Sequence, residues 1–415
     1  MKVLFVHQNF PGQYGRLATV LAKGPGCEVV ALGDLKNVKN RPKIPGVKLL
    51  AYPTPALATA HTHHYVRPLE GAVRRGQAVA RSCLALQKQG FVPDVIYAHP
   101  GWGEALFLRD VFPNARLTLY CEFYYQAQGA DVGFDPEFPS TPDDVLRVRV
   151  KNATSLLSLE AADAGISPTQ WQRRMFPREF RNRIDVIHEG VDTDLVRPDA
   201  AAELKLADKG VRLTARDEVV TYVARNLEPY RGFHIFMRAV PEIQRLRPHA
   251  HILIVGDEGV SYGQALPKGR TYKQKMLDEV GAKIDMSRLH FLGPVPYEML
   301  LRIYQISSVH VYLTYPFVLS WSILEAMAAG CVVVASRTAP VTEVVDDRKN
   351  GLLVDFFSPP EIAARVDEVF ENPAAMAAIR KQARRTVVER YDLKRVCLPA
   401  HLQLLGRTGK KATAN

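Results

Sequence analysis

Short, unbroken apolar runs alternate with helix-length amphipathic stretches from the first residues of this chain, and that alternation leaves few folds open. Val3 to Val6 precedes a helical stretch from about Tyr14 to Ala22; then come Val29 to Leu32, Leu49 to Tyr52, a long helical stretch from about Tyr65 to Gln89, and Asp94 to Ala98. The runs are continuous rather than alternating, as in strands buried on both faces of a parallel sheet covered by helices. The pattern restarts after Pro198, with apolar runs at Val219 to Val223, His251 to Val255, Leu289 to Leu292, Val309 to Leu313 and Cys331 to Ala335. Helical stretches at Gly232 to Leu246, Tyr297 to Ile306 and Ser322 to Ala329 separate them. The expected fold class is α/β, with two Rossmann-like, doubly wound domains. The expected division is residues 1–190, then 191–390, with 391–415 supplying a last helix, about Leu393 to Leu405, that returns to the first domain, and a basic tail. Turn and cap residues between Gly190 and Ala202 mark the linker. Open α/β sheets bind ligands beyond the carboxyl ends of their strands, so two such domains facing across a cleft would share a site there.

Composition narrows the class further. With 415 residues, 47% hydrophobic and 23% charged, the chain can bury a full core and is not disordered. Its 5 cysteines, Cys27, Cys83, Cys121, Cys331 and Cys397, are too scattered for a disulfide scaffold or a paired metal-ligand spacing. No metal is expected, and a reducing, cytoplasmic setting fits. No run approaches the roughly 18 apolar residues of a membrane span, and Val3 to Val6 is too short for a signal-peptide core. The net charge of +11 favours anionic partners. No helix-turn-helix, zinc-finger or RNA-binding pattern supports nucleic acid, which leaves phosphorylated small molecules and acidic lipid.

Three segments carry chemistry. His7-Gln8-Asn9-Phe10-Pro11-Gly12-Gln13-Tyr14-Gly15 leaves the first strand through a turn bearing Gly12 and Gly15 into a helix start, where free backbone N–H groups can face an anion. Ala224 to His234 leaves a strand and enters a helix with Arg225 and Arg231 six residues apart, a pairing suited to a diphosphate. Phe317 to Ala329 forms a loop and a helix start around Leu319, Ser320, Trp321 and Ser322. Glu325 then falls on the first or second turn, where it could accept ribose hydroxyls or simply complement the helix dipole.

These residues resemble the nucleotide-sugar domain of the family four glycosyltransferases, retaining enzymes of the GT-B fold. Ala224-Arg225 through Arg231-Gly232 is similar to their GR-x5-K/R-G pattern with Ala for the first Gly. Gly256 lies in a similar post-strand turn, Pro294 and Val295 in the segment that meets the base, and Leu324 to Gly330 in the helix before a valine strand. His188 to Asp194 resembles the NGVD linker, Asn350 to Val354 a further motif, and the HQNFPGQ opening a known subgroup. The family signature has two glutamates with seven residues between; here Glu325 holds the second and Phe317 replaces the first, which usually touches the donor sugar.

The resemblance implies a nucleoside diphosphate sugar, UDP- or GDP-linked, as donor substrate, with no cofactor. Arg225 and Arg231 would stabilise the departing diphosphate without a metal, and Glu325 would meet the ribose. Gly12, Gly15, Gly256, Pro294, Val295, Phe317 and Leu319 to Ser322 would line the donor site. On the acceptor side, His99 follows the fourth strand, and Glu122 follows the fifth, where the family commonly has a His. The implied function is transfer of a hexose-type sugar to a polysaccharide, glycolipid or related acceptor; a non-catalytic nucleotide-sugar binder and a GT-B epimerase or hydrolase stand as alternatives. Arg67, Arg74, Arg75, Arg81 and Lys88, on the long helix, suit either an acidic membrane surface presenting a lipid-linked acceptor or plain solvation.

Overall fold

The computed structural model describes residues 1–206 and 210–406. It divides into two compact units: residues 1–189 with the chain from Cys397 onward, and Gly190–Val396.

The first unit is built on seven parallel strands, β1 (Lys2–Val6), β2 (Glu28–Asp34), β3 (Val47–Tyr52), β4 (Val95–Ala98), β5 (Arg116–Tyr120), β6 (Ala164–Ser167) and β7 (Ile184–Val186). Their order is β3-β2-β1-β4-β5-β6-β7, so the winding reverses between β1 and β4. Residues of β1 alternate between two buried layers. Leu4 and Val6 join Ile96, Ala98, Leu117, Leu119 and Val79 of the helix Arg67–Lys88 on one face. Val3 and Phe5 join Leu17, Leu21, Tyr97 and Leu404 on the other. Burial on both faces is why these strands read as continuous apolar runs.

The second unit opens with an antiparallel hairpin, β8 (Glu203–Leu206) and β9 (Val211–Thr214). Its main sheet holds β10 (Val219–Asn226), β11 (His251–Asp257), β12 (Leu289–Gly293), β13 (Val309–Tyr312), β14 (Val332–Ser336) and β15 (Leu352–Val354), ordered β12-β11-β10-β13-β14-β15 and all parallel. The helix Trp321–Ala329 packs Ile323, Leu324 and Met327 into the core with Val333 and Ala335. The linker bridges back within this unit, with Val191 N–H donating to Tyr391 O and Leu393 N–H to Val191 O.

One expectation requires correction here. The last helix does not begin at Leu393: Leu393–Cys397 forms a π-helical turn, and the α-helix runs Leu398–Gly406. Pro399 is the reason, because it donates no backbone hydrogen bond and its ring crowds the preceding turn, which opens. On the basic helix Arg67–Lys88, Arg81 and Lys88 are exposed, and the other three cations have partners. Arg67 donates to Ala60 O and Thr62 O, Arg74 pairs with Glu70, and Arg75 donates to Trp102 O. None of the described helices is long and apolar enough to cross a membrane.

Candidate active site

In the second unit, Arg225 and Arg231 have different fates. Arg225 is exposed near the end of β10, whereas Arg231 sits in the 3-10 turn Pro229–Arg231 and is only 8% exposed. Its NH1 donates to Thr314 Oγ1 at 2.9 Å and Val318 O at 2.8 Å, and lies 3.4 Å from the Tyr312 hydroxyl. That side chain ties β10's exit to β13's exit and to the loop before Trp321. A solvated surface role is therefore excluded for Arg231. Gly232 makes the turn possible, since its φ is +67° and a Cβ there would lie 2.4 Å from Leu313 Cβ.

Glu325 lies on the second turn of Trp321–Ala329, buried, and accepts from the Tyr297 hydroxyl at 2.8 Å. Two amides at this helix start already have partners. Ser320 N–H donates to the Tyr312 hydroxyl at 2.8 Å, and Ser322 N–H is 3.4 Å from Ser320 Oγ, the N-cap. A helix start leaves donors unpaired, and a local serine takes one of them. Trp321 is 43% exposed, whereas Leu319 is buried in the core.

Phe317 is buried at 2% exposure, with ring centroids 5.4 Å from Tyr230 and 4.9 Å from Tyr262. Tyr262 also stands over the Arg231 guanidinium at 5.6 Å. Its loop is held by buried Glu228, whose carboxylate accepts the amides of Ser261, Tyr262 and Gly263 at 2.9 to 3.1 Å. Neither Glu228 nor Tyr262 was marked by the sequence pattern. Gly256 is explained by backbone proximity, since a Cβ there would come within 2.8 Å of Ala224 O. Pro294 is exposed after β12, and Val295 packs against the hairpin core.

In the first unit, the exits of β1, β4 and β5 bring His7, Gln13, His99, Trp102 and Glu122 together. Gln13 Nε2 donates to Glu122 Oε1 at 3.0 Å, and His99 Nε2 stands 3.4 Å from Glu122 Oε2. His99 Nδ1 accepts Gly101 N–H at 3.0 Å, which orients the ring. The Trp102 indole stacks on it at 4.0 Å, and His7 meets both rings edge-on at 5.7 and 5.2 Å. Burial drives the His7 pKa down to about 3, so the ring is neutral. For Glu122, burial pushes upward but is outweighed by His99, His7 and Gln13, and the carboxyl lies below its ordinary value. Gly12, at φ +45°, lets the turn close on His7, whose ring a Cβ would meet at 2.8 Å. Gly15 starts the helix Gly15–Lys23. His99 and Glu122 were legible beforehand; Gln13 and Trp102 were not, although both stand within motifs that were.

Residues 25–196 match the model of the Glycosyl transferase family 4 group, and residues 207–386 that of Glycosyl transferases group 1. Both matches are to models of glycosyltransferases, one in each unit. Curated proteins similar to this chain include D-inositol 3-phosphate glycosyltransferase of Corynebacterium efficiens, 32% identical over 180 residues, 43% of this chain and 40% of that one. The Rhodococcus jostii protein of the same description is 29% identical over 209 residues, 49% of this chain and 43% of that one. The matches thus span about two fifths of those relatives' length. Among solved structures, sucrose-phosphate synthase from Thermosynechococcus elongatus matches with a TM-score of 0.71 at 18% identity, covering 98% of each chain. HepE of Anabaena, in complex with UDP, matches with a TM-score of 0.66 at 18% identity, covering 98% of this chain and 100% of that one. At that identity the likeness gives the fold, which is GT-B.

Proposed function

We propose that this protein transfers a hexose-type sugar from a UDP- or GDP-linked donor to a polysaccharide, glycolipid or related acceptor, with retention, in the cytoplasm and without a metal ion. The observation that carries the reading is Arg231, a guanidinium held by Thr314 and the Val318 carbonyl at the carboxyl end of β10. Fixed cations in a partly desolvated site stabilise a departing diphosphate far more than mobile ones in water, because no reorganisation is needed as charge develops. Arg225 would add a second, mobile cation. Glu325 would accept ribose hydroxyls beside its Tyr297 bond, with Gly256, Pro294, Val295, Phe317 and the Leu319–Ser322 loop around the donor. The HepE complex with UDP supports this donor class, and the relatives described as D-inositol 3-phosphate glycosyltransferases support glycosyl transfer. In front-face retention a donor phosphate oxygen takes the acceptor proton, so the reaction needs no protein nucleophile.

One observation favours a second reading, a binder that does not turn over: Phe317, which on the resemblance takes the place of the family's first glutamate, is packed against Tyr230 and Tyr262. Incubation with UDP- and GDP-hexoses, sugar acceptors and a cell-envelope lipid extract, with chelator present, separates the two. The enzyme reading expects released diphosphate and a new glycoside of the donor's anomeric configuration; binding without release in every condition selects the binder. Arg231→Ala should weaken UDP binding by about 1.5 to 3 kcal/mol per charged hydrogen bond lost. Arg231→Lys keeps a cation in the core if the alanine variant folds poorly, and unchanged calorimetric affinity in both removes Arg231 from the site.

A further inference from the structure

The winding of the second sheet reverses between β10 and β13, and open α/β sheets bind ligands in the crevice such a reversal leaves beyond the strands' carboxyl ends. Aromatic residues follow three neighbouring strands here: Tyr230 after β10, Tyr262 after β11, and Tyr315 and Phe317 after β13. We infer that Tyr262, backed by Tyr230 and Phe317, is a specificity-determining residue that selects a donor whose sugar carries a methyl group, as a 6-deoxyhexose or an N-acetylhexosamine does, over the parent hexose. The inference rests on the diphosphate reading of Arg231 and names the class of sugar attached to that diphosphate.

Packing makes these rings one wall. Tyr262 lies 4.9 Å from Phe317 and 6.0 Å from Tyr230, and Tyr230 lies 5.4 Å from Phe317 and 4.7 Å from Tyr315, centroid to centroid. Phe317 and Tyr315 are buried, whereas Tyr262 keeps 38% of its surface and is the most open ring of the four. It also stands over the Arg231 guanidinium at 5.6 Å. A sugar joined to a diphosphate held by Arg231 is therefore within reach of this ring. The proposed reading gives the ribose to Glu325, which leaves the sugar as the end of the donor beside Tyr262.

A backbone clamp keeps the ring in place. Buried Glu228 accepts the amides of Ser261, Tyr262 and Gly263, and the Tyr272 hydroxyl donates to Gln264 O at 2.8 Å. Charge-assisted bonds to three successive amides fix the loop, and they engage both oxygens of the carboxylate. Across its ring faces the wall offers carbon rather than acceptors. A hydroxyl set against it loses water and gains no hydrogen bond, whereas a methyl group gains by leaving water. A difference of one methylene in an apolar site is worth roughly 10- to 200-fold in discrimination.

The test is calorimetry on the full chain with UDP-glucose, UDP-6-deoxyglucose and UDP-N-acetylglucosamine, and with GDP-mannose and GDP-6-deoxymannose, taking UDP and GDP alone as references. The expected result is that at least one methyl-bearing donor binds about tenfold tighter than its parent. Preference for the 6-deoxy or for the N-acetyl donor tells which methyl group is read. Tyr262→Ala should bring the ratio close to one, and Tyr262→Phe, which keeps the ring, should retain it. Glu228→Gln sets an amide donor against backbone donors and should also lower the ratio, as expected of a positioning residue; an unchanged ratio there overturns that role. Wild-type ratios near one, or a preference that survives in Tyr262→Ala, overturn the proposal. A loss of UDP and GDP affinity in Tyr262→Ala with the preference intact does so too, by assigning the ring to the nucleotide. Nucleotide binding without sugar discrimination would sink this inference and leave the diphosphate reading standing, whereas no binding of UDP or GDP would remove both.

Discussion

A carboxyl group with no exposed surface makes Glu104 the residue whose energetics are most visible. Its Oε1 accepts from the Tyr52 hydroxyl at 2.9 Å, and its Oε2 has no hydrogen-bond partner. Burial pushes its pKa from 4.5 up to about 7, against a smaller downward pull from Tyr52 and Arg75. The folded state therefore holds a proton that the unfolded chain releases. Below pH 4.5 both states are protonated and there is no penalty; between 4.5 and about 7 the unfolded chain ionises first, so stability falls as pH rises. At about 1.4 kcal/mol per unit, the loss is about 3 kcal/mol above neutrality. Glu104→Gln keeps the shape and an acceptor for Tyr52 without the titration. Urea unfolding at pH 5 and pH 8 should show the variant gaining about 3 kcal/mol on the wild type between the two conditions; a constant difference would refute the assignment. Nothing in the sequence marked this residue, because a lone Glu after Trp102-Gly103 reads as a surface acid. Its burial depends on Tyr52, which is 52 positions away.

Elements were legible where one local pattern sufficed. Strands β1, β10, β11 and β13 carry unbroken apolar runs because both faces are covered, and the helix Tyr297–Ile306 has the bounds its pattern suggests. Strands β6, of sequence AGIS, and β7, of sequence IDV, carry too few apolar residues to signal themselves, and their neighbours β5 and β6 supply the pairing. The β10-to-helix connection was legible as a motif, but not its mechanics. Arginine and glycine in series read as a phosphate site, whereas the fold also uses them to lock the second sheet, with Arg231 on Thr314 and Gly232 against Leu313. Gly232→Ala forces a side chain into a left-handed residue, at about 1 to 2 kcal/mol, and into Leu313, at about 1 to 3 kcal/mol. The expected destabilisation is therefore about 2 to 5 kcal/mol, with loss of amide-exchange protection at Phe233–Phe236. Wild-type stability in urea would show that the loop has room that these contacts exclude.

At the scale of the whole molecule, the chain's order and its packing part company at the carboxyl end. Residues Tyr391 to Val396 stay with the second unit, where Asp392 accepts from Thr193 and pairs with Arg395. The helix Leu398–Gly406 belongs to the first unit, with Leu404 and Leu405 buried at 3% and 7% beside Leu17, Leu21 and Phe5, and His401 against the His188 carbonyl at 3.3 Å. A hydrophobic layer laid down by residues 3–31 is thus completed by residues nearly 400 positions later, which no local periodicity could indicate. Removing a buried leucine costs about 2 to 5 kcal/mol, depending on how far the site relaxes. Leu404→Ala should therefore destabilise the first unit by that amount. Because Leu404 packs within a core cluster of the first unit, the effect should be local. Hydrogen exchange in moderate urea is expected to quicken across β1 to β5 while β10, β13 and β14 keep wild-type protection. Equal loss in both units would mean that they unfold as one cooperative body, and loss in neither would remove Leu404 from the core.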